Sequence, residues 1–167
     1  EDSKVDMLFS NAALHWIPRA DLEQAVASMA HAMKPGGRIV VEFGGKGNVD
    51  LIVKSMQIVL REKHGVDFDC PWNFPSVSAF TVLLEKQGIE VTLAELFDRP
   101  TSLDDGENGM SNWIRMFASQ FLKEFLRTDD EEIAFLEAVA SRLRNSLYDG
   151  EQWTADYRRL RVVGKKQ

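Results

Sequence analysis

The sequence predicts an α/β fold, and three observations carry that reading. Val5, Met7, Leu8 and Phe9 form an apolar run too short for a helix and bulky enough for a strand buried on both faces, and Ile39, Val40, Val41 and Phe43 form a second. Between them Leu22, Ala25, Val26, Met29, Ala32 and Met33 repeat at helical spacing along one face. Pro35, Gly36 and Gly37 then separate that helix from the second strand. Strand, helix and strand at this length form a right-handed crossover between parallel neighbours, so residues 10–16 lie at the carboxyl edge of a parallel sheet. Open α/β sheets bind ligands at that edge, where loops and helix starts converge with backbone groups free to bond.

The first helix is expected to open at Asp21, because Asp21 and Gln24 have the spacing of a capping box. After the second strand, GGKGN at 44–48 reads as a flexible turn into a helix over 48–64 that Gly65 closes in a left-handed turn. As a nucleotide loop it would need a strand ending in an acidic residue about twenty positions on, and none is convincing there. Residues 67–75 gather Phe68, Trp72 and Phe74 around two prolines, an aromatic loop whose large apolar groups must cover something or be covered. Ser76 caps a helix running through Phe80, Leu83 and Leu84 to Gly88, and residues 89–97 give a strand. Residues 100–150 are helical. Trp113, Ile114, Phe117, Phe121 and Leu122 mark one stripe, and Thr128 with Glu131 caps a second helix. These two helices form a hairpin at 101–150, read as a lid-like insertion within a single domain over 1–167. Residues 157–163 supply the last strand.

With 167 residues, 44% of them hydrophobic, the chain can bury one core of ordinary size. It has no apolar run long enough to span a membrane, and no secretory signal is read at its start. The single cysteine, Cys70, allows no internal disulfide and points to a reducing compartment, so a cytoplasmic location is expected. A net charge of −6 without a long basic stripe argues against nucleic acid as a partner. His31 and His64 lack a second ligand at metal spacing, so no metal site is expected.

The motifs DMLFSNAALHWI, MKPGGRIVVEFGGKGN, WNFPS at 72–76, LLEKQGIEV at 83–91 and WTADYRRLR at 153–161 together resemble class I S-adenosylmethionine-dependent methyltransferases. The branch they resemble is the one similar to trans-aconitate methyltransferases. One Pro-Gly-Gly would mean little, but several motifs in order across essentially the whole chain are far more specific. The resemblance implies the carboxyl-terminal part of a Rossmann-like methyltransferase sheet, mostly parallel with its last strand antiparallel, and a helical insertion before that strand. It also puts a glycine-rich cofactor loop, an acid for the ribose hydroxyls and an acid near the adenine ahead of the segment that matches Val5. None of these stands in the sequence. The chain is therefore expected to be a truncated methyltransferase, inactive alone.

The implied activity is methyl transfer from S-adenosylmethionine to a small molecule. The cofactor already carries its leaving group, so the protein must mainly align the acceptor, exclude water and, where needed, remove a proton. The resemblance assigns backbone groups of Ser10, Asn11, Ala12 and Ala13 to the methionine portion of the cofactor, with Trp16 beside them. His15 has two readings: a general base, or a residue that orders the loop by bonding a backbone carbonyl. Trp72, Phe74, Trp113, Arg115, Tyr157 and Arg158 are the substrate candidates. An arginine fork would suit a carboxylate acceptor, whose methylation needs little base. The alternative for Trp113 is core packing, and for Arg158 the polar face of an edge strand. A second reading of the whole chain is a cofactor-free fragment acting as an interaction module, self-associating through an exposed strand at residues 5–10.

Overall fold

The computed structural model describes residues 4–67 and 69–167, so Phe68 of the expected aromatic loop lies outside the described residues. In chain order the elements are β1 (Val5–Asn11), α1 (Leu22–Ala32), β2 (Met33–Gly44), α2 (Asp50–His64), α3 (Val77–Lys86), β3 (Ile89–Asp98), β4 (Thr101–Ser102), α4 (Gly109–Leu122), α5 (Asp129–Leu147), β5 (Thr154–Ala155) and β6 (Arg158–Lys166). They divide between two compact units. One comprises Glu1–Asn48, Pro71–Arg99 and Arg158–Gln167, the other Val49–Cys70 and Pro100–Tyr157.

The first unit is built on a four-stranded sheet in the order β1-β2-β6-β3. β1 and β2 run parallel, and β6 runs antiparallel to both β2 and β3. Alternation along β2 decides which face is covered: Ile39, Val41 and Phe43 are fully buried and join Leu160 and Val162 of β6. Leu22, Val26 and Ala30 of α1 and Phe80 and Leu84 of α3 complete that core. The ring of Phe43 meets Phe80 edge-on at 4.8 Å, a geometry aromatic pairs favour.

Three local expectations change. β1 is buried on one face only: Leu8 packs against the core, whereas Met7 and Phe9 are 56% and 66% exposed. Its pairing runs to β2 alone among the described residues, and α1 and α3 cover the other face of the sheet. Asp21 precedes α1 but makes no side-chain cap. Its own N–H is bonded to Pro18 O at 2.9 Å, and the backbone is already helical there, so the carboxylate is not presented to the first turn. Pro35, Gly36 and Gly37 lie inside β2, where the pairing with β1 shifts register between Val5 and Met7. The break is thus an irregularity within the strand.

In the second unit α2 and α4 each pack on α5, and β4 pairs with β5. Gly65 closes α2 at φ +65°, with its N–H bonded to Arg61 O, a conformation glycine adopts without steric cost. Thr128 and Glu131 form the reciprocal capping box of α5. Trp153 is fully buried and donates its indole N–H to Glu107 O at 2.9 Å. This unit takes in α2 as well as the helices between residues 100 and 150. Among the described residues no helix is long and apolar enough to cross a membrane.

Candidate functional site

At the carboxyl end of β1 the chain turns sharply. Ala12 adopts φ +55° and donates its N–H to Glu42 O at 2.8 Å. A single 3-10 turn follows at Leu14–Trp16. Leu14 is buried in the core of the first unit, which draws this turn inward, while Asn11, Ala12 and Ala13 remain exposed.

That inward turn buries His15. Its Nδ1 accepts the Gly44 N–H at 3.2 Å, and its carbonyl accepts the Asn73 N–H at 2.9 Å. One residue therefore fastens the β1 loop both to the end of β2 and to the segment before α3. The partner of the ring is a backbone amide, whereas the ordering role read from the sequence used a carbonyl. Burial, and after it the positive charge of Arg159, lower the imidazole pKa from 6.5 to about 4. With Nδ1 accepting, the neutral ring carries its proton on Nε2.

An aromatic wall continues from this ring. His15 lies 5.6 Å from Trp16 and 5.9 Å from Phe74, and Trp72 lies 6.0 Å from Trp16 and 6.1 Å from Phe74, all between ring centroids. Gly44 makes the close approach possible. A Cβ there would stand 2.5 Å from Phe74 Cε1 and 2.8 Å from Asn48 Nδ2. Next to Phe74 opens a cavity of about 560 Å³, whose lining includes Arg19, Lys46, Asn73, Ser76 and Leu83. On the sheet face that carries Phe9, Glu42 receives Arg99 at 2.9 Å and Arg161 at 2.8 Å.

The structure thus gathers His15, Trp16, Trp72 and Phe74 in the first unit. Arg158 belongs to the same unit, but its Nε lies 3.2 Å from Asp98 Oδ1 and its backbone N–H bonds Asn48 Oδ1 at 2.8 Å. Trp113 and Tyr157 belong to the second unit, where the indole N–H meets the phenol oxygen at 2.6 Å and the Trp113 ring is buried. Arg115 in that unit is held by Glu132 at 2.7 Å. Gly44, Asn73, Arg19 and Lys46 were not among the sequence candidates. Only the doubled glycine after a strand could have signalled one of them.

A family model described as "Methyltransferase domain" matches residues 1–41. An uncharacterized methyltransferase of Schizosaccharomyces pombe is 33% identical over 170 residues, which cover 97% of this chain and 63% of that protein. The chain thus spans less than two thirds of the length of this curated relative. Among solved structures, loganic acid methyltransferase with SAH superposes with a TM-score of 0.63 at 14% identity, over 99% of this chain and 62% of that one. A Bacillus halodurans protein provisionally assigned as a methyltransferase gives 0.58 at 14% identity, over 99% of this chain and 71% of that one. The chain carries a Rossmann-like α/β fold that resembles those two structures.

Proposed function

We propose that this chain takes part in methyl transfer from S-adenosylmethionine to a small-molecule acceptor, with residues 10–13 contacting the methionine portion of the cofactor. The observation that carries the reading is the strand order β1-β2-β6-β3 with an exposed loop of short side chains at the carboxyl end of β1. Asn11, Ala12 and Ala13 are exposed, and although Glu42 O holds the Ala12 N–H and the Trp16 N–H holds the Ala13 carbonyl, the Ala13 N–H and the Ala12 carbonyl remain to serve as donor and acceptor for a zwitterionic amino-acid moiety. The motif-level likeness to the trans-aconitate branch is part of the same reading.

When bound, S-adenosylmethionine supplies a methyl group on a sulfonium leaving group. The chain's own residues have to hold the acceptor in line and keep water away. Trp16, Trp72 and Phe74 offer an apolar wall for both tasks. His15 acts as a positioning residue, since its Nδ1 is engaged and a ring with a pKa of about 4 is a poor proton acceptor at neutral pH. A site without a strong base suits an acceptor that is already anionic, such as a carboxylate.

Titration with S-adenosylhomocysteine, followed by amide NMR, tests the cofactor contact. Shifts concentrated at Asn11, Ala12 and Ala13 are expected. Shifts confined elsewhere, or none at millimolar ligand, would count against it.

One observation favours a second reading, that of a self-associating module. Met7 and Phe9 are exposed on a strand whose pairing among the described residues runs to β2 alone, and such strands invite pairing with another copy. Phe9→Lys should then shift the sedimentation coefficient toward the monomer. A natural chain that already sediments as a monomer at high concentration would sink this reading.

A further inference from the structure

We propose that the cavity beside Phe74 binds an amphipathic anion, its carboxylate or phosphate head between Arg19 and Lys46 and its apolar part along Phe74 and Leu83. The proposal rests on the methyl-transfer reading and names the class of acceptor for it. At about 560 Å³ the cavity has the size of a small-molecule site.

Charge is the first argument. In the first unit Lys34, Lys86, Arg99, Arg158 and Arg161 are each held by a carboxylate. Arg19 and Lys46, like Arg38 and Lys165 of the same unit, have no ion pair among the described residues, and of these four only Arg19 and Lys46 line the cavity. They arrive from separate connections, one between β1 and α1 and the other between β2 and α2, yet line the same hollow. The carboxylate in the lining, Glu23, is engaged by Lys86 at 3.0 Å and so does not neutralise them.

Donor chemistry is the second. Asn73 lines the cavity, and its side-chain Nδ2 is buried without an acceptor among the described residues. A buried donor left unmet is costly, so a ligand oxygen there would relieve a cost the folded chain already carries. Ser76 and Ala79, in the cap and first turn of α3, also line the hollow, which turns the positive end of that helix toward the same place. Phe74, Pro75, Ala79 and Leu83 make the rest of the surface apolar. The arginines that the sequence offered for a carboxylate, Arg115 and Arg158, are both engaged by acids.

Calorimetry and amide NMR with octanoate and octyl phosphate test the assignment, with octanol and octylamine as neutral and cationic controls. Binding by at least one anion is expected, with shifts at Asn73, Ser76 and Ala79. Arg19→Gln and Lys46→Gln should each weaken it about tenfold, Lys46→Arg should retain it, and Arg38→Gln should leave it unchanged. Octanoate alone would identify a carboxylate head, and octyl phosphate alone a phosphate. Octanol or octylamine binding as well as the anions, no anion binding, or unaltered affinity in folded Arg19→Gln and Lys46→Gln chains would each overturn the proposal. No cofactor is present in this titration, so its failure and that of the S-adenosylhomocysteine titration are separate results.

Discussion

Replacing His15 with asparagine separates the two properties of this side chain, the acceptor atom it offers and the charge it can gain. The ring is only 8% exposed. Burial first, and then the Arg159 charge, lower its pKa from 6.5 to about 4. In the unfolded chain the imidazole still protonates near its ordinary value, so on acidification the unfolded state takes up a proton that the folded state refuses. The contribution is therefore complete above pH 6.5 and is lost as the pH falls toward 4. At about 1.4 kcal/mol per pH unit, the window from 6.5 to about 4 sets a ceiling of about 3–4 kcal/mol. Asparagine Oδ1 can take the place of Nδ1, so His15→Asn should keep the acceptor for the Gly44 N–H and remove this part of the pH slope. His15→Ala should leave that buried N–H without its acceptor and cost about 1–3 kcal/mol already at neutral pH. Urea unfolding across the window, followed by tryptophan fluorescence, measures the slope, and the imidazole carbon–proton resonances give the folded pKa directly. A folded-state titration near 6.5, or a His15→Asn chain that loses stability with acid as steeply as the natural one, would refute the reasoning.

Gly44→Ala should displace Phe74 and destabilise the first unit by about 2 kcal/mol, as overpacking does; a melting temperature and tryptophan spectrum equal to those of the natural chain would contradict this. Thr128→Ala removes one arm of the capping box on α5 and should cost about 1 kcal/mol, checked by urea midpoint and by faster amide exchange over the first turn. Asp156 offers a test of opposite sign to His15. Burial raises its pKa, Oδ2 accepts the Leu51 N–H at 2.8 Å, and Oδ1 is buried without a partner among the described residues. A carboxyl whose folded pKa is raised withholds stability once ionised, so Asp156→Asn should gain on the natural chain as the pH rises through the carboxylate range. Thermal melts at acidic and neutral pH that show no such divergence would contradict the assignment.

Elements written by local pattern were legible in the sequence, and those decided by distant partners were not. Ser76 and Thr128 cap their helices as their spacing indicates. Asp21 has the same kind of spacing and fails. Thr128 enters α5 from extended backbone at φ −129° and ψ 157°, which aims its side chain at the first turn, whereas Asp21 is already near helical at φ −99° and ψ −8°. The apolar run of β1 marks a strand but cannot say that only one of its faces meets a helix. Amphipathic spacing likewise made α2 a helix without naming α5 as its partner. For the site, His15 and the aromatic residues stood out by type. The pairing of His15 with Gly44, 29 positions away, left no local trace.

GGKGN at 44–48 is where reading glycine as flexibility misleads most. Gly44 and Gly45 are both buried. A Cβ on Gly45 would stand 2.6 Å from Leu96 Cδ1 and 2.9 Å from Leu160 Cβ, and one on Gly44 would collide with Phe74. Their backbone is also engaged, through Gly44 N–H to His15 and Gly45 N–H to Arg158 O at 3.0 Å. Glycine serves here because it lacks a side chain, which lets the end of β2 lie against β3, β6 and the aromatic wall together. The 3-10 turn that holds His15 is thereby set against fixed backbone. Precision at the carboxyl edge of β1 then comes from close contact at the end of β2, and Lys46 enters the neighbouring cavity from the same stretch, with its N–H bonded to Pro75 O at 2.9 Å.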